Sequence, residues 1–316
     1  MNGTRMSSLR SRYSVRQIGY AARKTLRAPI SAMGRGLHSG VEVHFTLCPA
    51  PVNTGIVFRR TDLGVDIPAR FSNVSDTRLC TLISRGAAKV GTIEHLMAAL
   101  AAFEVDDLVV EIDGAEVPVF DGSAAPFSFL IESAGVIEHG GGRPTLEILR
   151  PVRVERDGAF AELCPHQNGG KGLDLTLSIA FAARAIGTQA MRFHLAEDRF
   201  MKEIAQARTF TLLSEVDALR ELGLAQGGSL ANAVVVDDEK ILNPEGLRFD
   251  DEFVRHKVLD VIGDLYLAGA PISGVFKGHR TGHGLNNQLL RAIFEDQANY
   301  RLATGQLATP LQLTAA

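Results

Sequence analysis

The segment from Arg255 to Asp264 holds the most distinctive combination of polar side chains in the sequence. His256, Asp260 and Asp264 recur every four residues, a spacing that places side chains along one face of an α-helix. Apolar residues lie between them, and a carboxylate on an apolar face needs a partner because an unpaired buried charge is costly. Imidazole nitrogen and carboxylate oxygen both bind Zn²⁺. The pattern is compatible with a metal site, and a solvated polar stripe is the alternative interpretation.

A second histidine, His95, follows Glu94 at the beginning of another helix, for which Thr92 is the predicted N-cap. Adjacent helical residues point about 100° apart, so His95 and Glu94 would serve one metal site in different roles, His95 as a ligand and Glu94 on the bound water. Three protein ligands and an open position describe a catalytic zinc site. His95, His256 and Asp260 give that number, although a histidine packed in the core is the simpler interpretation of His95 alone.

Two further side chains could take part in proton transfer or polarise a carbonyl. His283 stands between two glycines, in a loop predicted just before a helix, where a substrate can approach it closely and a histidine can move protons near neutral pH. Thr209 lies in a polar break before Phe210 and offers a hydroxyl. The alternatives are an exposed histidine in a capping loop and a threonine that bonds only to its own turn.

The elements that must position these residues follow the order of an α+β protein. Alternation of apolar and polar residues predicts strands, for example at 41–47 and 173–179. The predicted helices span residues 93–103, 126–134, 196–205, 251–268 and 286–296. In each half of the chain several strands precede a helix, a strand and a second helix. This order predicts two similar α+β domains, each with helices on a mainly antiparallel sheet.

Domain boundaries are placed by composition. A glycine-rich segment at 138–144 is the predicted linker between a first domain at 25–140 and a second at 145–298, followed by a tail at 299–316. Residues 1–24 contain six Lys or Arg and no acidic residue. We interpret them as a disordered basic extension, with an organelle transit peptide as the alternative.

The composition of the 316-residue chain excludes several classes of protein. A net charge of −3 and the absence of tryptophan argue against a nucleic-acid-binding module. Three dispersed cysteines without a CxxC pair exclude a disulfide framework and a thiolate zinc ribbon. Charged residues and Pro271 interrupt the longest apolar run, 258–276. We therefore expect a cytoplasmic protein without stable membrane insertion and with no nucleic acid among its partners.

Seven motifs, in the same order along the chain, resemble the UDP-3-O-acyl-N-acetylglucosamine deacetylase family of zinc enzymes. They are GRGLHSG at 34–40, RRTD at 59–62, TIEHL at 92–96, FDGSAAP at 120–126, ARTF at 207–210, LRFDDEFVRHK at 247–257, and the stretch 273–290. The resemblance covers about residues 25–297. It leaves out the basic extension and a tail that is too short for a further domain.

The resemblance implies a role for each candidate residue of the catalytic site. The metal ligands would be His95, His256 and Asp260, holding one Zn²⁺ ion, with Fe²⁺ as an alternative occupant. Glu94 would be the general base and His283 the cationic acid of the site.

Further positions match residues that orient the acid or contact the substrate in this family. Asp264 would orient His283, and the hydroxyl of Thr209 would help to hold the oxyanion. The implied substrate-binding residues are Lys257, Phe210, Gly228, Arg280 and Leu37. The unit at 211–236 would be a β-α-β insert that forms a hydrophobic passage for an acyl chain.

The implied fold has two similar domains with helices packed between two sheets. The implied reaction removes the N-acetyl group of an acylated nucleotide sugar, the committed step of lipid A biosynthesis, in a cytoplasmic monomer that contacts the inner membrane at most peripherally. Another zinc amidohydrolase, acting on a different acylated amide, is the alternative function.

Overall fold

The computed structural model describes residues 21–167 and 169–304. In the first half the strands are β1 (Ala22–Leu26), β2 (Ile30–Arg35), β3 (Glu42–Pro49), β4 (Ile56–Arg60), β5 (Val65–Pro68), β6 (Val74–Asp76), β7 (Leu82–Arg85), β8 (Ala88–Val90), β9 (Leu108–Ile112) and β10 (Val136–Gly142). The helices of this half are α1 (Glu94–Ala102) and α2 (Ala125–Ala134).

The second half contains longer helices and an additional small sheet. Its strands are β11 (Pro144–Ile148), β12 (Val152–Arg156), β13 (Ala159–Cys164), β14 (Leu173–Ala180), β15 (Thr188–His194), β16 (Phe210–Leu212), β17 (Val234–Asp237), β18 (Lys240–Ile241), β19 (Ile272–His279) and β20 (Tyr300–Thr304). The helices are α3 (Glu197–Glu203), α4 (Leu213–Glu221), α5 (Glu252–Tyr266) and α6 (His283–Glu295).

Both halves repeat one sheet topology. The first main sheet has the order β2-β3-β9-β4-β5. The second contains β12-β13-β19-β14-β15, with β11 paired to β19 and β20 paired to β11. In each, the central strand is antiparallel to the neighbour on one side and parallel to the neighbour on the other. Each central strand follows one helix and precedes another, so the predicted repeat and the α+β class are confirmed.

The helices pack in the space between the two main sheets. α1 packs against α2 and α5, while α5 packs on β14 and β15, and α6 packs on β12 and β13. Every residue of α1 is buried, which explains its Ala-rich, Leu-rich composition. One apolar cluster joins the two halves through α1 and α5. The two helices that carry the candidate ligands therefore meet at the centre of the molecule.

Between α3 and α5 the chain forms a separate three-stranded sheet. β16 and β17 are parallel neighbours connected through α4, and β18 is antiparallel to β17. The predicted β-α-β insert at 211–236 is thus present and continues into β18. No helix in the described part of the chain is both long and apolar enough to cross a membrane.

Three segments differ from the predicted boundaries. β1 includes Arg23, which the composition assigned to the basic extension; its guanidinium is buried against Asp107, and the strand pairs with β10. The predicted linker at 138–144 is instead the end of β10 and the start of β11. Gly140 and Gly141 adopt positive φ where the pairing of β1 with β10 shifts in register, so these glycines serve an irregular strand and not a linker. The residues before position 21 lie outside the described residues, as do those after 304.

The last strand corrects the predicted tail. β20 pairs with β11 along its whole length, so the second main sheet extends six residues beyond the predicted boundary at 298. β20 is only five residues long, and an alternation of apolar and polar residues this short does not distinguish a strand from an irregular tail in the sequence.

Candidate metal centre and active site

α1 and α5 approach each other so closely that one position must be glycine. A Cβ atom on Gly263 would lie 2.1 Å from the backbone oxygen of Glu94. This contact brings the beginning of α1 beside the middle of α5. Thr92 does not cap α1 as predicted, because its hydroxyl donates to Glu116 instead, and the helix begins at Glu94.

The three predicted ligands meet at this crossing. His95, His256 and Asp260 each direct one ligand atom to a common point, and these atoms lie within 4.8 Å of one another. Asp260 Oδ1 is 3.4 Å from His256 Nε2 and 3.9 Å from His95 Nε2. Two atoms bound to one ion at about 2.1 Å with tetrahedral geometry lie about 3.4 Å apart. The spacing therefore suits a single small divalent ion.

The hydrogen bonds of the cluster leave its ligand atoms free. His256 Nδ1 lies 3.0 Å from the carbonyl oxygen of Ala207, which can only accept, so Nδ1 carries the proton and Nε2 keeps its lone pair. Asp260 Oδ2 accepts from Lys257, but Asp260 Oδ1 is buried with no hydrogen-bond partner among the described residues. Since buried polar atoms are rarely left unsatisfied, the cluster fits a bound cation.

Protonation states also suit a metal. Burial and the neighbouring His256 lower the pKa of His95 to about 3, and burial lowers the pKa of His256. Burial acts to raise the pKa of Asp260, but Lys257 and His256 outweigh it and hold the pKa below its usual range. At neutral pH the cluster thus offers two neutral imidazoles and one carboxylate, the forms that bind metals.

Glu94 lies beside this cluster and is almost completely buried, with 4% of its surface exposed. Burial raises the pKa of Glu94 to about 7, and nearby His283 opposes the shift. Its Oε2 accepts from the backbone N–H of Thr81 at 3.1 Å. A carboxyl group with a pKa near neutrality can both accept and return a proton at physiological pH.

His283 faces Glu94 from the other side of the site. It is the first residue of α6, whereas the sequence predicted a loop. Its Nδ1 lies 2.9 Å from Asp264 Oδ2, and its Nε2 lies 3.8 Å from Glu94 Oε1. Burial acts to lower the pKa of His283, but Asp264 and Glu94 outweigh it and raise the pKa to about 10. The imidazolium is therefore the stable form at neutral pH.

Two residues that the sequence did not single out hold Asp264. The hydroxyl of Thr81 donates to Asp264 Oδ1 at 2.6 Å, and the amide of Asn286 donates to Asp264 Oδ2 at 2.8 Å. Asn286 follows His283 by three residues on α6, so helical spacing could have revealed it. Thr81 is 183 positions from Asp264, and no local pattern connects the two.

A largely apolar cavity of about 350 Å³ lies between the insert and the loop after β2. It reaches the metal cluster through Phe210, whose ring centre lies 6.2 Å from that of His256. Three residues that the resemblance implied as substrate contacts, Phe210, Gly228 and Leu37, line it, and so does Thr209, which was expected beside the metal. The other lining residues include Val216, Leu219, Ala225, Leu230 and Val235. The cavity has the dimensions and lining of a site for a flexible hydrocarbon chain.

Lys257 and Arg280, the two cationic candidates, differ in their surroundings. Lys257 donates to Asp260 at 2.8 Å, and its ammonium lies 5.5 Å from the centre of the Phe210 ring. Burial acts to lower the pKa of Lys257, but Asp260 outweighs it and raises the pKa. Arg280 is exposed, at positive φ, and its side chain forms no ion pair within the described ranges. It lies three residues before His283 but not among the residues that line the apolar cavity.

Comparisons with known proteins show the family of the chain. The sequence model of the family described as UDP-3-O-acyl N-acetylglycosamine deacetylase matches residues 23–295. A protein of Legionella pneumophila (strain Corby) named UDP-3-O-acyl-N-acetylglucosamine deacetylase is 48% identical over 278 residues, covering 87% of this chain and 90% of the relative.

Two other relatives carry the same name. A protein of Chromobacterium violaceum is 49% identical over 286 residues, covering 89% of this chain and 93% of its own length. A protein of Idiomarina loihiensis is 46% identical over 284 residues, with coverages of 89% and 92%. The resemblance predicted from the seven motifs is confirmed, and the chain belongs to the UDP-3-O-acyl N-acetylglycosamine deacetylase family.

Proposed function

We propose that this chain hydrolyses the N-acetyl group of UDP-3-O-acyl-N-acetylglucosamine, the compound in the names of its relatives, to acetate and a free sugar amine. The reaction belongs to lipid A biosynthesis. It would use one divalent ion held by His95, His256 and Asp260. The observation that carries the proposal is the convergence of these three buried ligands, with an unpartnered Asp260 oxygen, beside the carboxyl group of Glu94.

Zn²⁺ is the proposed ion, because two imidazoles and one carboxylate with an open position are typical of catalytic zinc. When bound, the ion polarises the amide carbonyl and lowers the pKa of water. Fe²⁺ suits the same ligands and is the alternative occupant.

Glu94 is the proposed general base. Its pKa of about 7 lets it take a proton from the attacking water at neutral pH. The bond from the Thr81 N–H holds Oε2, which leaves Oε1 for the water and the imidazolium. Amide hydrolysis also needs protonation of the departing nitrogen, because an amine anion is a very poor leaving group. Either Glu94, after accepting the proton, or His283 can supply it.

His283 is the proposed electrostatic stabiliser of the tetrahedral oxyanion. Its pKa of about 10 keeps it cationic, and its Nε2 lies 3.8 Å from Glu94 Oε1. A preorganised cation in a buried site stabilises developing negative charge strongly. Thr209 is a second proposed donor, because it lies two residues after Ala207, whose carbonyl oxygen accepts from the ligand His256.

The substrate's acyl chain would lie in the apolar cavity, with Leu37, Phe210 and Gly228 in contact with it. Lys257 and Arg280 would contact the polar parts of the molecule, since Arg and Lys both bind diphosphate groups. We further propose a cytoplasmic monomer that contacts the membrane only peripherally.

Metal content and product formation, measured together, test the proposal. The purified chain should contain about one divalent ion per molecule, lose turnover after chelator treatment, and recover it with Zn²⁺. Glu94→Ala should retain the ion but slow turnover by about 10²–10⁴-fold. An active, metal-free protein would overturn the metal-dependent scheme. Cleavage of unrelated acylated amides or peptides, without deacetylation of the nucleotide sugar, would favour a different amidohydrolase.

A further inference from the structure

Thr81 lies between Glu94 and Asp264, two of the three acidic residues of the active site, and contacts both. It precedes β7, and only 2% of its surface is exposed. Its backbone N–H donates to Glu94 Oε2 at 3.1 Å, and its hydroxyl donates to Asp264 Oδ1 at 2.6 Å. Glu94 belongs to α1 and Asp264 to α5, so one residue of the first half connects the two catalytic helices.

The hydrogen bond from the Thr81 hydroxyl gives Asp264 a donor on its Oδ1 atom. The other carboxylate oxygen, Oδ2, accepts from His283 Nδ1 and from Asn286 Nδ2. Donors on both oxygens fix the rotation of the carboxylate about its last side-chain torsion, which is otherwise broad. The fixed carboxylate in turn sets the orientation of the His283 ring, whose Nε2 lies 3.8 Å from Glu94 Oε1.

We propose that Thr81 is a positioning residue for deacetylation. Its backbone orients the base Glu94, and its hydroxyl orients Asp264 and, through it, the His283 imidazolium. The inference rests on the proposed function, because it assigns the two carboxylates their roles in that reaction. Thr81 itself does not touch the reacting atoms; it acts on turnover through the geometry of the groups that do.

Substitution can separate the hydroxyl bond of Thr81 to Asp264 from its backbone bond to Glu94. Thr81→Val keeps the shape and the backbone N–H to Glu94 but removes the donor to Asp264. Hydrogen bonds to charged groups are the stronger ones in proteins, so kcat should fall by about 10- to 100-fold. KM should stay within about twofold, because no substrate contact is lost. Thr81→Ser, which keeps the hydroxyl, should recover kcat to within about threefold.

Thr25 offers a matched control for loss of a buried hydroxyl. It is also buried, and its hydroxyl donates at 2.6 Å, but to the backbone oxygen of Asp107, whose side chain pairs with Arg23 and His139 and not with a residue of the active site. Thr25→Val should lower the melting temperature while leaving kcat per bound metal unchanged. A merely structural Thr81 would behave in the same way, with reduced stability but normal kcat in the folded enzyme.

A double-mutant cycle tests whether Thr81 acts through Asp264. In an Asp264→Ala background the hydroxyl has lost its target, so adding Thr81→Val should change kcat by less than about twofold. If Thr81→Val does not fold, Thr81→Ala takes its place in the cycle.

The assay is deacetylation of the acylated nucleotide sugar by the metal-loaded full chain, with metal content and melting temperature measured for each variant. Normal kcat in Thr81→Val, failure of Thr81→Ser to recover kcat, or full additivity with Asp264→Ala would each overturn the role of Thr81. An inactive wild-type chain would instead overturn the proposed function, so the two failures are distinguishable.

Discussion

The metal cluster and the His283–Asp264 pair lie in the same buried site but differ in how their hydrogen bonds are satisfied. In the cluster, Asp260 Oδ1, one of the ligand atoms, is buried without a partner among the described residues. In the pair, both oxygens of Asp264 accept hydrogen bonds from side chains. The metal cluster is therefore incomplete, because the protein supplies no hydrogen-bond partner for one of its ligand atoms. The His283–Asp264 pair is complete, because protein side chains satisfy both carboxylate oxygens.

This difference indicates which parts of the site depend on an added ion. An unsatisfied buried polar atom costs about 1–3 kcal/mol, so the cluster stores a cost that a bound cation removes. The imidazolium has its counter-charge in Asp264 and needs no such addition. We therefore expect substitutions in the cluster to change metal content first and activity as a consequence, and substitutions around Asp264 to change activity at full metal content.

His256→Ala should have the largest effect, because it removes one of three ligands. Loss of an outer-sphere partner alone weakens metal binding by about 10–100-fold, so loss of a ligand should exceed that and reduce turnover by more than about 10³-fold. Elemental analysis after dialysis, with turnover at fixed total zinc, measures both effects. His139→Ala is the matched control, because His139 pairs with Asp107 away from the site. Normal metal content in His256→Ala would contradict the assignment of the ligands.

Asp264→Asn should lower kcat by about 10²-fold while the metal remains bound, since it removes the counter-charge of the cationic group. The substitution should also change how kcat depends on pH. Asp264, together with Glu94, outweighs burial and raises the pKa of His283 to about 10. Activity that needs the imidazolium is present below this pKa and lost as the pH rises through it. Without Asp264 the raising interaction is reduced and burial, which lowers the pKa, gains weight.

The alkaline limb of kcat should therefore move to lower pH in Asp264→Asn by more than about one pH unit. A pH–rate profile of the two proteins at saturating metal tests this shift. An unchanged alkaline limb would show that the cationic form of His283 is not required.

The same contrast explains what the sequence could predict. The ligands on α5 were predictable because residues four apart share a helix face, and the Ala-rich α1 was recognisable from its helix formers. The pairing of α1 with α5 was not, because it depends on a contact between Gly263 and the backbone of Glu94, 169 positions apart in the chain. The family resemblance supplied that link, whereas the periodicity alone favoured the interpretation of His95 as a core residue.

The His283–Asp264 pair and its hydrogen-bond partners were harder to predict than the metal cluster. Its residues come from three separate parts of the chain. Thr81 carries no local signal of catalysis, and only its helical spacing from His283 points to Asn286. His283 was expected in a loop because glycines surround it, and glycine disfavours helices; in the structure α6 begins at this residue, where Asp264 holds its ring. Glycine also explains why the strands at 138–144 were not predicted, because the glycine-rich composition of this segment indicated a linker.

Gly263→Ala should have a smaller effect, and it tests the contact between the two helices. The added methyl would lie 2.1 Å from the Glu94 oxygen, so α1 and α5 must separate. Overpacking of this kind costs about 1–3 kcal/mol, and metal affinity should fall by about 10–100-fold because ligands from both helices are displaced. Zinc titration with a competing chelator, together with thermal unfolding, measures the two changes. Unchanged metal affinity would show that the ligands do not depend on this close approach.

Gly228→Leu should have the smallest effect on catalysis itself, because it alters the cavity and neither region of the catalytic site. A Cβ there would lie 3.1 Å from the backbone oxygen of Ala225 and 3.7 Å from Leu37, so the larger side chain extends into the space proposed for the acyl chain. The ratio of kcat/KM for long-acyl over short-acyl substrates should fall by about 10-fold, since a lost fit of a few methylenes is worth about 1–3 kcal/mol. Metal content should not change. Equal loss with both substrates would show that Gly228 does not face the acyl chain, and that the cavity serves another part of the substrate.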